Sequence, residues 1–181
     1  MSIESGARRI YFNLSDFNTA PVDHVNRFNG AISCKKETNM NFPLLENLQT
    51  GEYDVALARM RIPIDGIPDG TIGTPNHLAS LQSFVVKTNK IPVNGEWDNQ
   101  GNYPFLNDIM VDNGTLVLGQ PFLYEPFFYR RSSMKAQGSL HLIDIEVFYR
   151  LENGELYPLP INAQQGWTVK IAILHQSIST T

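Results

Sequence analysis

Residues Leu140–Ile161 read LHLIDIEVFYRLENGELYPLPI, and the pattern of this stretch decides the fold class. Apolar and polar residues alternate as far as Leu151, which is the period of a β-strand with one buried face. The residues on that face are Ile143, Ile145, Val147 and Tyr149. The sequence Glu152-Asn153-Gly154-Glu155 then carries the Asn-Gly pair typical of a tight hairpin turn. We therefore predict two antiparallel strands joined by this turn.

Similar strand patterns recur along the chain. Trp167–Leu174 (WTVKIAIL) alternates cleanly, and Tyr53–Ile62 (YDVALARMRI) does so with a bulge predicted near Arg59-Met60. Shorter candidates are Arg9–Leu14, Phe28–Cys34, Ser83–Thr88, Phe105–Met110, Thr115–Leu118 and Phe122–Arg130. Helical turns are predicted only in loops, at Phe42–Leu48 and His77–Leu81. We predict an all-β fold, an antiparallel β-sandwich built as a single jelly roll of about eight strands, in one domain over residues 1–181.

Composition narrows the function classes. The 181 residues carry a formal net charge of −4 and only 18% charged side chains. No basic run is longer than a pair, as at Arg8-Arg9 and Lys35-Lys36, so strong nucleic-acid binding through phosphate neutralisation is not expected. A membrane span needs about 20 consecutive apolar residues, and no run approaches that length. The single cysteine, Cys34, cannot form an intrachain disulfide.

Catalytic and metal-binding patterns are missing from the sequence. The histidines His24, His77, His141 and His175 are too far apart for a metal-binding helix or a zinc knuckle. There is no nucleophile elbow, phosphate-binding glycine loop or dinucleotide fingerprint. Asp144 and Glu146 share a strand face, which we expect to be solvated. We predict no catalytic residue, no metal and no cofactor.

The segment PFLYEPFFYRRSSM (Pro121–Met134) combines aromatic rings with an arginine pair. As one strand it would place aromatics on both faces, one packed in the chain's own core and the other against a neighbouring subunit, since subunit interfaces favour aromatics and Arg. The loop at 62–75 is also apolar, and it either packs on its own chain or contacts a partner. The predicted interface residues are Tyr124, Phe127, Phe128, Tyr129, Arg130, Arg131, Ile64 and Ile67.

Trp97 and Tyr103 lie in the polar segment PVNGEWDNQGNYP (residues 92–104). Two interpretations stay open. The aromatic residues either anchor a solvated loop or stack on sugar rings, in which case the chain is a carbohydrate-binding module or an attachment protein. A glycosidase is a third class, for which the sequence offers no specific residue.

Two blocks of the sequence resemble a known family. The first block is LQTGEYDVALARMRIPI (Leu48–Ile64), and the second is Leu140–Ile161 followed by WTVKIAIL (Trp167–Leu174). Both are similar to segments of single jelly-roll penton and minor capsid proteins of eukaryotic DNA viruses and virus-like transposons. The resemblance implies a non-enzymatic structural protein of a virion, assembled in the cytoplasm or nucleus of a host cell. It also implies contacts with other capsid proteins and with copies of itself, as in a pentamer.

Overall fold

A computed structural model of the protein describes most of the chain from residue 51 onward and short segments before it. The described residues are 9–13, 32–33, 35–39, 51–71, 73–89, 91, 93, 96–98, 101–103, 105–112, 114, 116–136, 142–161 and 167–175. These residues form β-strands and no α-helix, so none of them forms a helix long and apolar enough to cross a membrane. The strands are β1 Arg9–Asn13, β2 Ile32–Ser33, β3 Lys35–Asn39, β4 Gly51–Ile62, β5 Leu81–Lys87, β6 Glu96–Asp98, β7 Gly101–Tyr103, β8 Phe105–Met110, β9 Phe122–Tyr124, β10 Arg131–Ala136, β11 Leu142–Leu151, β12 Leu156–Pro158, β13 Pro160–Ile161 and β14 Thr168–His175.

Two sheets form the sandwich. The first has the order β1-β14-β4-β10, with β9 also paired to β4, and the second has the order β12-β11-β5-β8, with β3 also paired to β11. All described pairs are antiparallel. The two four-stranded paths β1-β14-β4-β10 and β3-β11-β5-β8 are connected in the manner of a jelly roll, because the chain repeatedly crosses from one sheet to the other. The prediction of an all-β jelly roll is confirmed.

The β11–β12 hairpin forms where the Asn-Gly signal predicts it. Gly154 has a φ of 87°, a left-handed conformation that favours glycine, and the Leu151 amide donates to the Glu155 carbonyl at 2.9 Å. Ile145, Val147 and Tyr149 are buried as expected. The prediction that Asp144 is solvated is wrong. Asp144 is 1% exposed, because it accepts hydrogen bonds from residues at the end of β5.

The Asp144 network satisfies a buried carboxylate with local donors. The Thr88 hydroxyl and the Asn89 backbone amide each donate to Asp144 Oδ1 at 2.8 Å. Thr88 Oγ1 in turn accepts the Ile91 amide at 3.1 Å. A buried carboxylate is tolerated when hydrogen bonds replace its water. The alternation within β11 could not show this, because the donors lie just after β5, more than 50 residues earlier in the chain.

The bulge predicted in β4 occurs at Ala58. Lys170 pairs with Arg59 while Ile171 pairs with Leu57, which leaves Ala58 without a partner on β14. The positions that belong to the core cluster therefore change from odd to even numbers: Tyr53, Val55 and Leu57 precede the bulge, and Met60 and Ile62 follow it. The bulge keeps both halves of β4 facing the core.

Three loops meet at one end of the sandwich. The Glu152 amide donates to the Ser80 carbonyl at 2.9 Å, which joins the β11–β12 turn to the loop before β5. The Gly119 amide donates to Asp65 Oδ1 at 2.7 Å, which joins the β8–β9 connection to the same loop, since this loop runs from the end of β4 to the start of β5. Residues 77–80 form a hydrogen-bonded turn in place of the predicted helical turn, and Phe42–Leu48 lies outside the described residues.

Candidate functional site

Exposed large hydrophobic side chains are concentrated in one part of the described chain. All of those among the described side chains lie between residues 110 and 129, and we call this surface the apolar flank: Met110, Val117, Leu118, Leu123, Phe127, Phe128 and Tyr129. Met110 ends β8 and Leu123 lies in β9, and these two strands are joined by a 2.8 Å hydrogen bond from Asn107 Nδ2 to the Tyr124 hydroxyl. Soluble monomers rarely leave a large apolar patch uncovered, so the apolar flank is the first candidate for a binding surface.

Strand β9 follows the predicted alternation. Phe122 and Tyr124 pack against the core, and the Phe122 ring lies 4.8 Å from the Phe84 ring. Leu123 and Glu125 point outward and are exposed. Tyr124, predicted as an interface residue, is therefore half-buried against its own core.

The strand prediction fails after Tyr124. Phe122–Arg130 was expected to be one strand, but the ladder stops at Tyr124 and resumes at Arg131, opposite Ala56. Pro126 explains the break, because proline has no N–H to donate to β4. Residues 125–130 pass β4 residues 57–59, a shorter stretch, so this connection arches away from the sheet. We call it the aromatic arch.

The aromatic arch exposes its rings instead of dividing them between two faces. Phe127 is 91% exposed and Phe128 is 82% exposed, and their rings meet edge to face with centroids 4.8 Å apart. Tyr129 is less exposed, at 37%. The prediction that one alternate face is buried in the fold is therefore wrong for Phe127 and Phe128, because neither lies in a strand.

Ion pairs flank both ends of the aromatic arch. Arg59 Nε lies 3.7 Å from Glu125 Oε2, and Arg131 Nη1 lies 3.7 Å from Asp54 Oδ2. Such exposed pairs contribute only about 0–1 kcal/mol each. Arg130 is exposed beside the rings. The predicted interface arginines thus lie on the surface, next to the exposed phenylalanines.

Ile64 and Ile67 require a correction. They are 1% and 2% exposed and belong to the chain's own core, so of the two alternatives for their loop the structure supports self-packing. Between them, a Cβ on Gly66 would lie 2.4 Å from the Pro160 carbonyl oxygen, which only glycine avoids. Glycine at this position lets the loop approach β13 closely, and the isoleucines on either side of it lie in the core.

An open pocket lies beside this loop. We call it the socket, and its volume is about 220 Å³. It is lined by Ile64, Leu116, Val117, Gln120, Pro121, Phe122 and Leu123. Residues 116–118 were predicted to be in a strand, but they lie in a loop, which leaves Val117 and Leu118 about half exposed. The run TLVLGQP carried the signal of this loop, because Gly-Gln-Pro disfavours a continuing strand.

The outer face of the second sheet is closed by its own side chains. Lys87 Nζ lies between the Phe105 and Phe148 rings, 5.1 and 4.6 Å from their centroids. Arg150 forms an ion pair with Asp108 on the same face. Apart from the end of β8, none of the described side chains of this face is a large exposed hydrophobic residue like those of the flank.

A cluster of titratable groups lies at the loop end of the sandwich. His77 Nδ1 lies 2.8 Å from the Tyr149 hydroxyl, and the Tyr149 and Tyr157 rings are stacked at 5.4 Å. Burial, with a smaller effect from Tyr157, raises the pKa of Tyr149 to about 12. Hydrogen bonds from Asn153 and Tyr157 lower the pKa of Glu155. These contacts join the β11–β12 hairpin to the loop before β5 as a packing network.

The structure describes Trp97 and Tyr103 only as backbone. Strands β6 and β7 form a two-stranded ribbon in which Trp97 pairs with Asn102 and Tyr103 pairs with Glu96. The two aromatic positions are therefore not cross-strand partners. Within the described residues, no group of three or more His, Cys, Asp or Glu side chains is arranged to hold a metal ion.

Comparison with known proteins gives a structural match but no sequence match. No family model and no curated protein sequence matches the chain. Solved structures share its fold. A chain of the Sputnik virophage, determined by cryo-EM, superposes with a TM-score of 0.67 at 10% identity, over 96% of this chain and 99% of that one. The mavirus penton protein superposes with a TM-score of 0.55 at 10% identity, over 94% of this chain and 100% of that one.

The structural likeness confirms the predicted resemblance at the level of the fold. At this identity it shows no more than that, because one fold serves many functions. It covers nearly the whole length of each protein. The carbohydrate-binding alternative gains no support from these neighbours.

Proposed function

We propose that this protein is a structural subunit of a virion, in a penton-like or minor capsid position, and that it is not an enzyme. The observation that carries the proposal is the match to the mavirus penton protein over nearly the full length of both chains. We extend the proposal to a single domain over residues 1–181. The partners are copies of the chain and other capsid proteins.

The apolar flank supports this proposal with an independent physical argument. Assembly interfaces concentrate aromatic residues and Arg and exclude water from apolar side chains. Phe127, Phe128 and Tyr129 are followed directly by Arg130 and Arg131, all on the surface. In a lone monomer these rings would remain in water, whereas a neighbouring subunit would cover them. We therefore assign these five residues to a subunit contact, with Tyr124 supporting it from below.

The oligomeric state of the purified chain tests the proposal. We expect native mass spectrometry and negative-stain electron microscopy to show a closed ring, of five copies if the position is penton-like, since a head-to-tail contact forms a ring when its rotation closes. A chain that stays monomeric and binds glycans, with binding lost in Trp97→Ala, would contradict the proposal and support the carbohydrate-binding alternative. Turnover of a substrate by the pure chain would contradict its non-enzymatic part.

A further inference from the structure

The socket is lined by apolar residues and by Gln120, and polar atoms make up the larger part of its open surface. Ile64 and Phe122 belong to the core cluster or pack against it, and they reach the pocket from the ordered sandwich. The bond from the Gly119 amide to Asp65 Oδ1 connects the two loops around the pocket. Val117 and Leu123 are 53% and 50% exposed, so apolar surface continues outside the pocket. A site of this kind suits an apolar side chain from another molecule.

The aromatic arch presents the complementary shape. Phe127 and Phe128 contact each other edge to face and project from the sheet edge. The arch is connected at one end to β9 and at the other to β10, both paired with β4. It is therefore short and held at both ends, and a pair of rings presented in this way loses little conformational entropy when it docks.

Size and charge both favour docking of the aromatic arch into the socket. A cavity of about 150 Å³ holds a benzene molecule, and the socket, at about 220 Å³, has room for a phenyl ring. The loops beside the socket, residues 63–68 and 111–121, carry Asp65 and Asp112 and no Lys or Arg. The arch begins with Glu125, which forms an ion pair with Arg59 of its own chain, and it ends in Arg130, next to Arg131. β4 adds a positive charge near the socket, because the exposed Arg61 pairs with Leu123. The acidic groups near the socket therefore belong to the two loops.

We propose that the aromatic arch of one copy of this chain docks into the socket of a second copy, with a ring of Phe127 or Phe128 in the pocket and the arginines facing Asp65 and Asp112. This inference rests on the proposed function, because it assigns the contact by which the subunits assemble. The exposure of both rings shows that the arch does not fill the socket of its own chain.

Three variants of the full chain test this contact. Phe127→Ala/Phe128→Ala removes the rings, and Val117→Lys blocks the socket at a half-exposed position. Met110→Ala is the matched control, since it removes an exposed apolar side chain of the same flank outside both elements. Circular dichroism and thermal melting establish that each variant folds. Sedimentation velocity and native mass spectrometry then measure self-association.

We expect the arch variant and the socket variant each to weaken self-association by about 30-fold or more, as removal of an interface hot spot does. The control should change it less than about threefold. The combined variant should be no weaker than the worse single variant, because both changes remove one contact. A mixture of the arch variant with the socket variant should recover dimers, since each supplies the half that the other lacks.

Other outcomes overturn the inference and identify what has failed. If the wild-type chain forms rings and the arch variant forms them equally well, the arch–socket contact is wrong while the proposed function stands. If arch and socket variants weaken assembly additively and their mixture recovers no dimers, the two elements bind different surfaces. If the wild-type chain stays monomeric at all concentrations, both the contact between copies and the proposed self-assembly are wrong.

Discussion

Two pairs of phenylalanines in this molecule have the same separation and opposite environments. Phe84 and Phe122 lie 4.8 Å apart inside the sandwich, where Phe84 is fully buried. Phe127 and Phe128 also lie 4.8 Å apart, but both are more than four-fifths exposed. The difference comes from the backbone, because Phe122 lies in a paired strand and the other pair follows Pro126, where pairing has stopped. Aromatic residues therefore stabilise the fold in one case and remain available to a partner in the other.

The largest effect that tests this comparison is on the stability of the monomer. We expect Phe84→Ala to lower the free energy of unfolding by about 3–5 kcal/mol, because it leaves a cavity in the core. Phe127→Ala/Phe128→Ala should change it by less than about 0.5 kcal/mol per site, as surface substitutions do. Urea unfolding of dilute protein measures both. A loss above about 2 kcal/mol in the double variant would show that the arch packs on its own chain. The contrast between the buried and the exposed pair of phenylalanines would then be wrong.

A second, smaller effect extends the comparison from rings to carboxylates. Asp144→Ala leaves the Thr88 and Asn89 donors without their acceptor in a buried site, and we expect it to cost about 1–3 kcal/mol of unfolding free energy. Asp69 is the surface counterpart, and it accepts the Thr71 amide at 3.0 Å and the Thr71 hydroxyl at 2.7 Å. Water replaces those bonds in Asp69→Ala, so the loss should be smaller. Equal losses in urea unfolding would show that burial does not decide the contribution of these carboxylates.

The smallest effect concerns the two stacked tyrosines. Burial raises the pKa of Tyr149 from its ordinary value of 10.0 to about 12, so the folded state retains a proton that the unfolded state loses first. This contribution to stability is fully present below about pH 10 and is lost as the pH rises towards 12. Tyr149→Phe should cost about 0.5–1.5 kcal/mol at neutral pH, through the lost hydroxyl contact with His77, and should weaken the alkaline loss.

Unfolding of wild type and variant across this alkaline range measures the effect. Tyr157→Phe is the matched control, because its hydroxyl bonds to the exposed Glu155 at 2.8 Å and not to His77. The hydrogen bond to Glu155 also raises the pKa of Tyr157, so this control removes the share of the alkaline loss that belongs to Tyr157, while the share that belongs to the buried Tyr149 should persist. If the alkaline loss of stability disappears in Tyr157→Phe and persists in Tyr149→Phe, the loss comes from Tyr157, and its assignment to Tyr149 is wrong.

The parts of the fold that the sequence predicted well are those with a local signal. In β11 and β14 the alternation of apolar residues agrees with the buried face, and Asn153-Gly154 lies in the hairpin turn. The bulge in β4 was predicted within one residue, because the apolar phase changes there. Each of these patterns depends on residues a few positions apart, which a sequence displays directly.

The candidate site was predicted only in part. The strand predicted for 122–130, with one face in the core, was wrong beyond Tyr124, and Phe127 and Phe128 are both exposed. The role of these residues in a subunit contact stays a prediction. Leu123 and Val117 were not selected, because an isolated apolar residue in a strand-like run gives no sign of its exposure. Ile64 and Ile67 were predicted to contact a neighbouring subunit, but they are buried in the chain's own core. The sequence of their loop does not show this, because the contact of Gly66 with Pro160 joins residues far apart in the chain.

The sequence by itself determined the all-β class, the main strands and the absence of known catalytic motifs, because alternation, turn residues and chemical signatures are local properties. Only the tertiary structure decided which apolar residues remain exposed. Exposure depends on which strand edges find partners and on which loops meet, and these are contacts between distant parts of the chain. For that reason the apolar flank, the socket and the aromatic arch are properties of the folded sandwich.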